Sequence, residues 1–148
     1  MNANIEIYSP KIVRLWTVFK QKIKKMKNQF VTYEIALALK KLGFNEACLG
    51  AYYPEPDSEL IPCKWYNNNN HRLNPKIAAP LWQQAIDYLR EKHNLHVEIR
   101  YLDSVAKYGY ILTKILENDE IEEEYYFDYY EAREVATFKA IEICKQKK

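Results

Sequence analysis

The segment from Trp65 to Arg72 holds the side chains of this chain that are best suited to bind a ligand. It reads Trp-Tyr-Asn-Asn-Asn-Asn-His-Arg. Aromatic rings can stack on a nucleobase, amides can read its edge, and a guanidinium can hold a phosphate. Consecutive asparagines are also typical of an ordinary loop, and Trp65 would suit a core position at a strand end. The expected ligand-binding residues are Trp65, Tyr66, Asn69, His71 and Arg72, with Tyr108 and Tyr110 as further walls.

The N-terminal segment combines an apolar stripe with a run of cations. Ile12, Leu15, Trp16 and Phe19 recur at three- and four-residue spacing, which predicts one face of a helix. No acid interrupts the region from 11 to 27, and its lysines could neutralise the phosphates of nucleic acid or of anionic lipid. Alternatively, the stripe packs on the domain or on a second copy, and the lysines are simply solvated. The lysines assigned to nucleic-acid binding in the alternative function are Lys20, Lys24, Lys25 and Lys27.

Catalytic and metal-binding patterns are missing from the sequence. A phosphate-binding loop needs several glycines in one turn, whereas this chain has three separated glycines. His93 and His96 form the one close histidine pair, but we expect His93 at a helix end and His96 on a strand, so they need not face one another. No serine lies in a Gly-x-Ser-x-Gly turn. The sequence therefore predicts no catalytic residue, no metal and no cofactor.

The cysteines and the acidic residues favour structural roles. Cys48, Cys63 and Cys144 are an odd number without a Cys-x-x-Cys pair, which favours a reducing compartment. We expect all three to be buried as small apolar side chains. The acidic run from Glu117 to Glu124 is expected to be a hydrated loop, with a docking surface for a basic partner as the alternative.

Composition indicates one globular domain. The chain has 148 residues, of which 48% are hydrophobic and 28% are charged. A net charge of only +2 conceals a basic N-terminal region and an acidic region near residue 120. Thirteen tyrosines favour a binding role, because each ring joins an apolar body to a hydrogen-bonding tip. No apolar run is long enough to span a bilayer and no signal peptide is evident, so we expect a cytoplasmic protein.

Periodicity and turn residues predict the order of the elements. A second helix follows Thr32 and ends at Gly43, a third begins at Pro80 and ends at Asn94, and Asp128 caps the last. The predicted strands are Cys48–Tyr53, Leu60–Tyr66, Leu95–Tyr101 and Ala106–Leu116.

The resulting fold class is α+β, with an antiparallel sheet of about four strands and helices on one face. The element order is α-αββ-αββ-α, which hints at an internal duplication. We divide the chain into a basic amphipathic N-terminal helix, residues 1–29, and a single α+β domain, residues 30–148. Because Pro62 cannot donate to a ladder, its strand is expected at a sheet edge or at a bulge.

Three stretches resemble a family of small uncharacterised proteins encoded by phages, prophages and mobile elements of Bacteroidota. They are Tyr33-Glu34-Ile35-Ala36-Leu37 through Phe44, Ala79-Pro80-Leu81-Trp82-Gln83 through His93, and Tyr129-Tyr130-Glu131-Ala132. The resemblance covers about residues 30 to 143 and implies an origin in an infected or lysogenic bacterium, without assigning any functional residue. Members of the family tend to begin near Met26. Residues 1–25 are therefore either an extension or a segment upstream of the start that is used.

The leading functional hypothesis is a non-enzymatic phage or mobile-element protein that sequesters a host molecule. Its partner would be a host small molecule, such as a nucleotide immune signal, or a host defence protein. The alternative is a nucleic-acid-binding module that uses the basic N-terminal helix, and homo-oligomers are compatible with both. An enzyme that degrades a nucleotide through His71, His93 or His96 is the third hypothesis.

Overall fold

The described part of the chain forms four α-helices and six strands. The computed structural model describes residues 9–68, 75–126 and 128–146, without the side chains of Lys20, Ile23, Lys24 and residues 121–124. A short 3-10 turn, Lys27–Gln29, connects the first two helices. The elements are α1 Pro10–Lys25, α2 Tyr33–Leu42, β1 Cys48–Tyr52, β2 Ile61–Tyr66, β3 Ile77–Ala79, α3 Trp82–His93, β4 Leu95–Leu102, β5 Lys107–Lys114, β6 Asp119–Tyr126 and α4 Tyr129–Gln146.

Most predicted helix ends are confirmed. Gly43 and Asn94 take the left-handed conformation after α2 and α3, so the backbone can turn away and satisfy the last carbonyls. The Asp128 carboxylate accepts the N–H groups of Tyr130 and Glu131 at the start of α4. The expectation for Pro80 was wrong, because α3 begins at Trp82 with Leu81 as its N-cap.

The first sheet has the strand order β2-β1-β3, and both pairings are antiparallel. The predicted hairpin of β1 and β2 is confirmed, and Pro62 lies on an edge strand as its missing N–H requires. The three-residue strand β3 is not among the strands predicted from the sequence. Its Ile-Ala-Ala run is too short to show an alternating pattern, and its position is set by pairing with residues 50–52 of β1.

The second sheet has the order β4-β5-β6 and is also antiparallel. The sequence correctly predicted the pair of β4 and β5. It wrongly predicted a loop for the acidic run, which forms much of β6. Acidic residues are rare in strands, but β6 is an edge strand, where charged side chains can stay hydrated and oppose pairing with another chain.

The α+β class and the antiparallel pairing are confirmed, whereas the arrangement is richer than expected. In the residues that the structure describes, six strands form two sheets in place of the expected single sheet of about four strands. The described order is α-αβββ-αβββ-α. The first strand of the earlier unit is central in its sheet, but the first strand of the later unit is at an edge. The two units therefore differ in topology, which does not support an internal duplication.

One hydrophobic core joins the two sheets. It includes Tyr52 and Ile77 from the first sheet and Tyr110 and Leu112 from the second. Helix α4 contacts α2, α3 and all three strands of the second sheet. Its buried alanines let it approach these neighbours closely, and they are Ala132, Ala136 and Ala140.

Helix α1 lies at the margin of this core. No described side chain from residue 9 to residue 29 is buried, and Phe30 is the first buried residue. The helix contacts β2. Within the described part of the chain, no helix is long and apolar enough to cross a membrane.

Candidate functional site

Trp65 lies in a bulge of the edge strand β2. Between its pairs with β1 at Pro62 and Tyr66, this strand has three residues opposite the single Leu49. The backbone of Trp65 has a φ of 57°, in the left-handed region that bulky residues rarely adopt. The indole is 66% exposed. Trp65 is therefore held outward, toward the apolar side chains of α1 that line the same groove.

Tyr66 has a structural role. Its hydroxyl donates to the carbonyl of Lys76 and accepts the N–H of the same residue, at 2.9 Å and 2.7 Å. It thereby ties the end of β2 to the residue that precedes β3. The neighbouring Asn68 bonds to the backbone of Phe44 and Ala78. The other predicted members of this segment lie outside the described residues, and they are Asn69, His71 and Arg72.

The structure does not bring Tyr108 and Tyr110 together with Trp65. Both tyrosines lie on β5 of the second sheet. Tyr110 is fully buried in the core, so it cannot form the wall of an open pocket as expected. Tyr108 is half-buried and contacts the ring of Tyr129, with 5.6 Å between centroids. This contact connects Tyr108 to a different site, at the start of α4.

The site at the start of α4 is centred on Arg133. This arginine is buried although it carries a charge, with 8% of its surface exposed. Its Nη2 donates to the carbonyl of Asn28 at 3.1 Å, so it ties α4 to the middle of the 3-10 turn. The capped start of α4 fixes the orientation of the first helical turn, and Arg133 follows one turn later.

Three aromatic rings surround the Arg133 guanidinium. Its Cζ lies 4.2 Å from the ring centroid of Trp82, 5.2 Å from that of Tyr130 and 5.5 Å from that of Tyr129. These distances are within the range of cation–π attraction. Trp82 is buried, while Tyr129 and Tyr130 are exposed. The rings therefore form a partly open cage, with its closed side at α3.

The charge of Arg133 is incompletely compensated. Among the described residues, no carboxylate forms an ion pair with it, and its buried Nε has no hydrogen-bond partner. Burial lowers the pKa of Arg133 from its ordinary value, against the opposing effects of Tyr129, Tyr130 and Glu134. A buried cation without a counter-ion is unfavourable, and an anion placed beside it would relieve that cost.

A cleft of about 310 Å³ opens beside Arg133. Its size is at the lower end of the range for small-molecule sites. The exposed Lys27 adds a second cation at the cleft, and Glu134 adds a carboxylate that accepts the hydroxyl of Thr32 at 3.0 Å. The polar and aromatic lining residues are Lys27, Thr32, Tyr52, Trp82, Tyr130, Arg133 and Glu134.

This lining suits a ligand with three chemical parts. Lys27 and Arg133 can attract an anionic group, and the exposed ring of Tyr130 can stack on a planar group. The carboxylate of Glu134 can accept a hydrogen bond from an amine or a hydroxyl of the ligand. A nucleotide has all three parts.

Tyr52 closes one wall of the cleft. Its hydroxyl donates to the carbonyl of Val31 at 2.7 Å in a buried position. Burial raises the pKa of Tyr52 to about 12, with smaller contributions from Glu34 and Glu134. The phenol is therefore neutral near pH 7 and acts as a fixed wall of the cleft.

The described nucleophiles do not form a reactive centre. The three cysteines are buried as predicted, and burial raises the pKa of Cys48 to about 12, which disfavours its thiolate. His93 ends α3 with its ring against Tyr88, and His96 lies in β4, as expected from the sequence. In the described parts of the chain, no three histidine, cysteine or carboxylate side chains are grouped to hold a metal.

Arg133 was not among the predicted ligand-binding residues, because those were chosen from a loop and from aromatic side chains. A signal was present within α4. Tyr129 and Tyr130 precede Arg133 by four and three residues, which places all three on one helix face. The contribution of Trp82 from α3 and the carbonyl of Asn28 could not be predicted, because both depend on the packing of distant segments.

Comparison with known proteins finds no matching protein family, no similar curated protein and no similar solved structure.

Proposed function

We propose that this protein is a non-catalytic binding protein whose cleft at Arg133 holds a small anion with a planar group, of the nucleotide class. The buried, incompletely compensated guanidinium of Arg133 carries this proposal. A phosphate near Arg133 would supply the missing counter-charge, which is the strongest term available at this cleft.

The surroundings of Arg133 support a nucleotide over a simple inorganic anion. Tyr130 is 55% exposed, so a base can reach its ring without any rearrangement of the core. Glu134 would repel a second negative group but would accept a hydrogen bond from a sugar hydroxyl or a base amine. Phosphate alone would use only part of this cleft.

In the cell, we expect this binding protein to act by sequestering its ligand. In the phage or mobile-element setting that the sequence resemblance suggests, such a protein would act by withholding a host nucleotide, including a nucleotide immune signal. The buried thiols and the separated histidines favour binding without turnover. The alternative host partner, a defence protein, is less well supported by a concave cationic cleft than a small anion is.

The first test is a binding titration of the full chain with nucleoside monophosphates, cyclic nucleotides, free nucleosides and inorganic phosphate. We expect at least one nucleotide to bind, with weaker binding of its nucleoside and of phosphate alone. Arg133→Gln should weaken nucleotide binding by roughly tenfold or more, because a charge-assisted bond contributes about 1.5–3 kcal/mol. Tyr130→Ala removes an exposed ring, so it should weaken the binding of the nucleotide but not the binding of phosphate.

Arg100→Gln is the matched control, because Arg100 is an exposed arginine that pairs with Glu98 on β4. This variant should bind as tightly as the wild type. Thermal unfolding of each variant establishes that it is folded. Failure of every nucleotide to bind, or equal binding by the folded Arg133→Gln variant, would refute the proposal.

A further inference from the structure

A second surface, formed by α1 and the bulge of β2, is independent of the cleft at Arg133. An apolar groove of about 370 Å³ separates the helix from the strand. Trp16 and Phe19 are half-buried and stack on each other with 5.1 Å between their centroids. Ile12 and Leu15, on the same apolar stripe, remain 52% and 64% exposed. We name the set Ile12, Leu15, Trp16, Phe19 and Trp65 the α1 patch.

Trp65 extends the α1 patch beyond the helix. A tryptophan at positive φ costs about 1–3 kcal/mol in backbone strain. Here the strained bulge presents the indole at the surface instead of burying it in the core. The indole and the exposed stripe of α1 line the same groove, so they form one continuous apolar surface.

The helix and the strand that form the α1 patch carry exposed cations and no acid. The sequence has no acid between Glu6 and Glu34. The exposed cations along this surface are Lys11, Arg14, Lys22, Lys25 and Lys64, and Lys64 itself lines the groove beside Trp65. An apolar groove between two elements that carry cations and no acids matches a partner that has an apolar interior and an anionic surface.

We propose that the α1 patch binds the surface of a lipid bilayer that contains anionic lipids. A helix with a basic polar face and exposed Trp, Leu and Ile side chains lies in the plane of the headgroups. The lysines approach the anionic headgroups, while Ile12, Leu15 and Trp65 enter the boundary with the acyl chains.

Two other occupants fit this surface less well. A second copy that packed through its own α1 patch would bring two cation-bounded surfaces together, and their repulsion disfavours that contact. Nucleic acid would use the lysines and the indole of Trp65. It would leave the exposed aliphatic side chains of Ile12 and Leu15 without a partner, whereas a bilayer buries them.

The test is co-sedimentation of the full chain with vesicles of phosphatidylcholine, with or without phosphatidylglycerol. We expect binding to the vesicles that contain phosphatidylglycerol and much weaker binding to phosphatidylcholine alone. Lys22→Gln combined with Lys25→Gln should weaken binding roughly tenfold or more, since each cation near an anionic membrane contributes substantially. Lys92→Gln combined with Lys145→Gln makes the same charge change at exposed positions elsewhere and should have a smaller effect.

The contribution of the apolar side chains is tested with Ile12→Ser combined with Leu15→Ser. Both side chains are exposed, so the double substitution preserves the core. This variant should lose most of its vesicle binding while keeping its thermal stability. Tryptophan fluorescence should shift to the blue when vesicles are added, and Trp65→Phe should remove most of that shift. Equal binding to both vesicle types, no binding to either, or unchanged binding by the Ile12 and Leu15 variant would overturn the proposal. Binding to a single-stranded oligonucleotide in place of vesicles would likewise overturn it.

Discussion

At the level of single residues, Arg133 contacts the carbonyl of Asn28 and the rings of Trp82, Tyr129 and Tyr130. The bond to the Asn28 carbonyl and the stacking on Trp82 offset part of the cost of burying its charge. The remaining cost is what a bound anion would offset. On the proposed function, a bound anion at Arg133 would therefore stabilise the folded protein.

The stability of the protein should respond to Arg133 even without ligand. Arg133→Met keeps an apolar chain of similar length, but it removes the charge and leaves the Asn28 carbonyl without its donor. The unpaired carbonyl costs about 1–3 kcal/mol and removal of the buried charge offsets part of this, so we expect the free energy of unfolding to fall by less than about 3 kcal/mol. Added nucleotide should stabilise the wild type and leave Arg133→Met unchanged, as measured by chemical denaturation. Stabilisation of both proteins by the same ligand would place the binding site elsewhere.

The raised pKa of Tyr52 predicts that the protein loses stability at high pH. Its folded-state pKa, about 12, is above the ordinary value of a tyrosine. The neutral phenol therefore stabilises the folded state fully below pH 10, and this contribution is lost as the pH rises through 12. Two pKa units correspond to about 2.7 kcal/mol at most.

Urea denaturation between pH 9 and pH 12 measures the contribution of Tyr52. The wild type should lose stability over this interval more steeply than Tyr52→Phe, which keeps the ring but cannot ionise. The two cysteines with raised pKa values are present in both proteins, so the difference in slope isolates Tyr52. Parallel slopes would contradict the assigned burial of this hydroxyl.

Individual site residues were predicted less well than the elements that carry them. Trp65, a predicted ligand-binding residue, is exposed, whereas its neighbour Tyr66 forms structural hydrogen bonds to Lys76. Tyr110 is buried and Tyr108 contacts Tyr129 instead of Trp65. Composition indicates which side chains can bind a ligand, whereas their grouping depends on contacts between segments far apart in the chain.

At the level of elements, the bulge of β2 determines the position of Trp65. Its extra residues allow Trp65 to leave the regular alternation of the strand. The sequence predicted an irregularity here through Pro62. It could not predict the left-handed backbone of Trp65, because nothing in a tryptophan favours that conformation.

Replacement of Trp65 tests this backbone strain. Trp65→Gly and Trp65→Asn place residues that tolerate positive φ at this position. We expect both variants to be more stable than Trp65→Val by about 1 kcal/mol or more, because a branched side chain is disfavoured at positive φ. Thermal unfolding of the three variants measures the difference. The reverse order would show that the bulge does not hold position 65 at positive φ.

The acidic strand β6 shows why element prediction fails at edges. Thr113 and Lys114 of β5 pair with Glu120 and Asp119, so hydrogen bonding to a neighbour defines the strand despite its composition. Lys114 also bonds to Glu117 in the turn, at 2.8 Å. The helix ends, by contrast, were predictable because Gly43, Asn94 and Asp128 act through local backbone geometry.

At the level of the whole molecule, one core supports the two separate surfaces that we propose as binding sites. Helix α4 packs on the second sheet and presents Arg133 to the cleft, while α1 contacts the edge strand of the first sheet. The α+β class, the antiparallel pairing and the burial of the cysteines followed from the sequence. The division into two sheets did not, because β3 and β6 lack the usual strand pattern.

The most direct test of the proposed cleft is a nucleotide titration that follows the Arg133 Nε–H resonance by nuclear magnetic resonance, with Arg133→Lys used to assign that resonance. We expect this resonance to shift in a saturable manner as nucleotide is added, because the bound anion alters the environment of the guanidinium. The Nε–H resonance of Arg100 should stay in place. An unchanged Arg133 resonance at saturating nucleotide, or equal shifts of both arginines, would contradict the account.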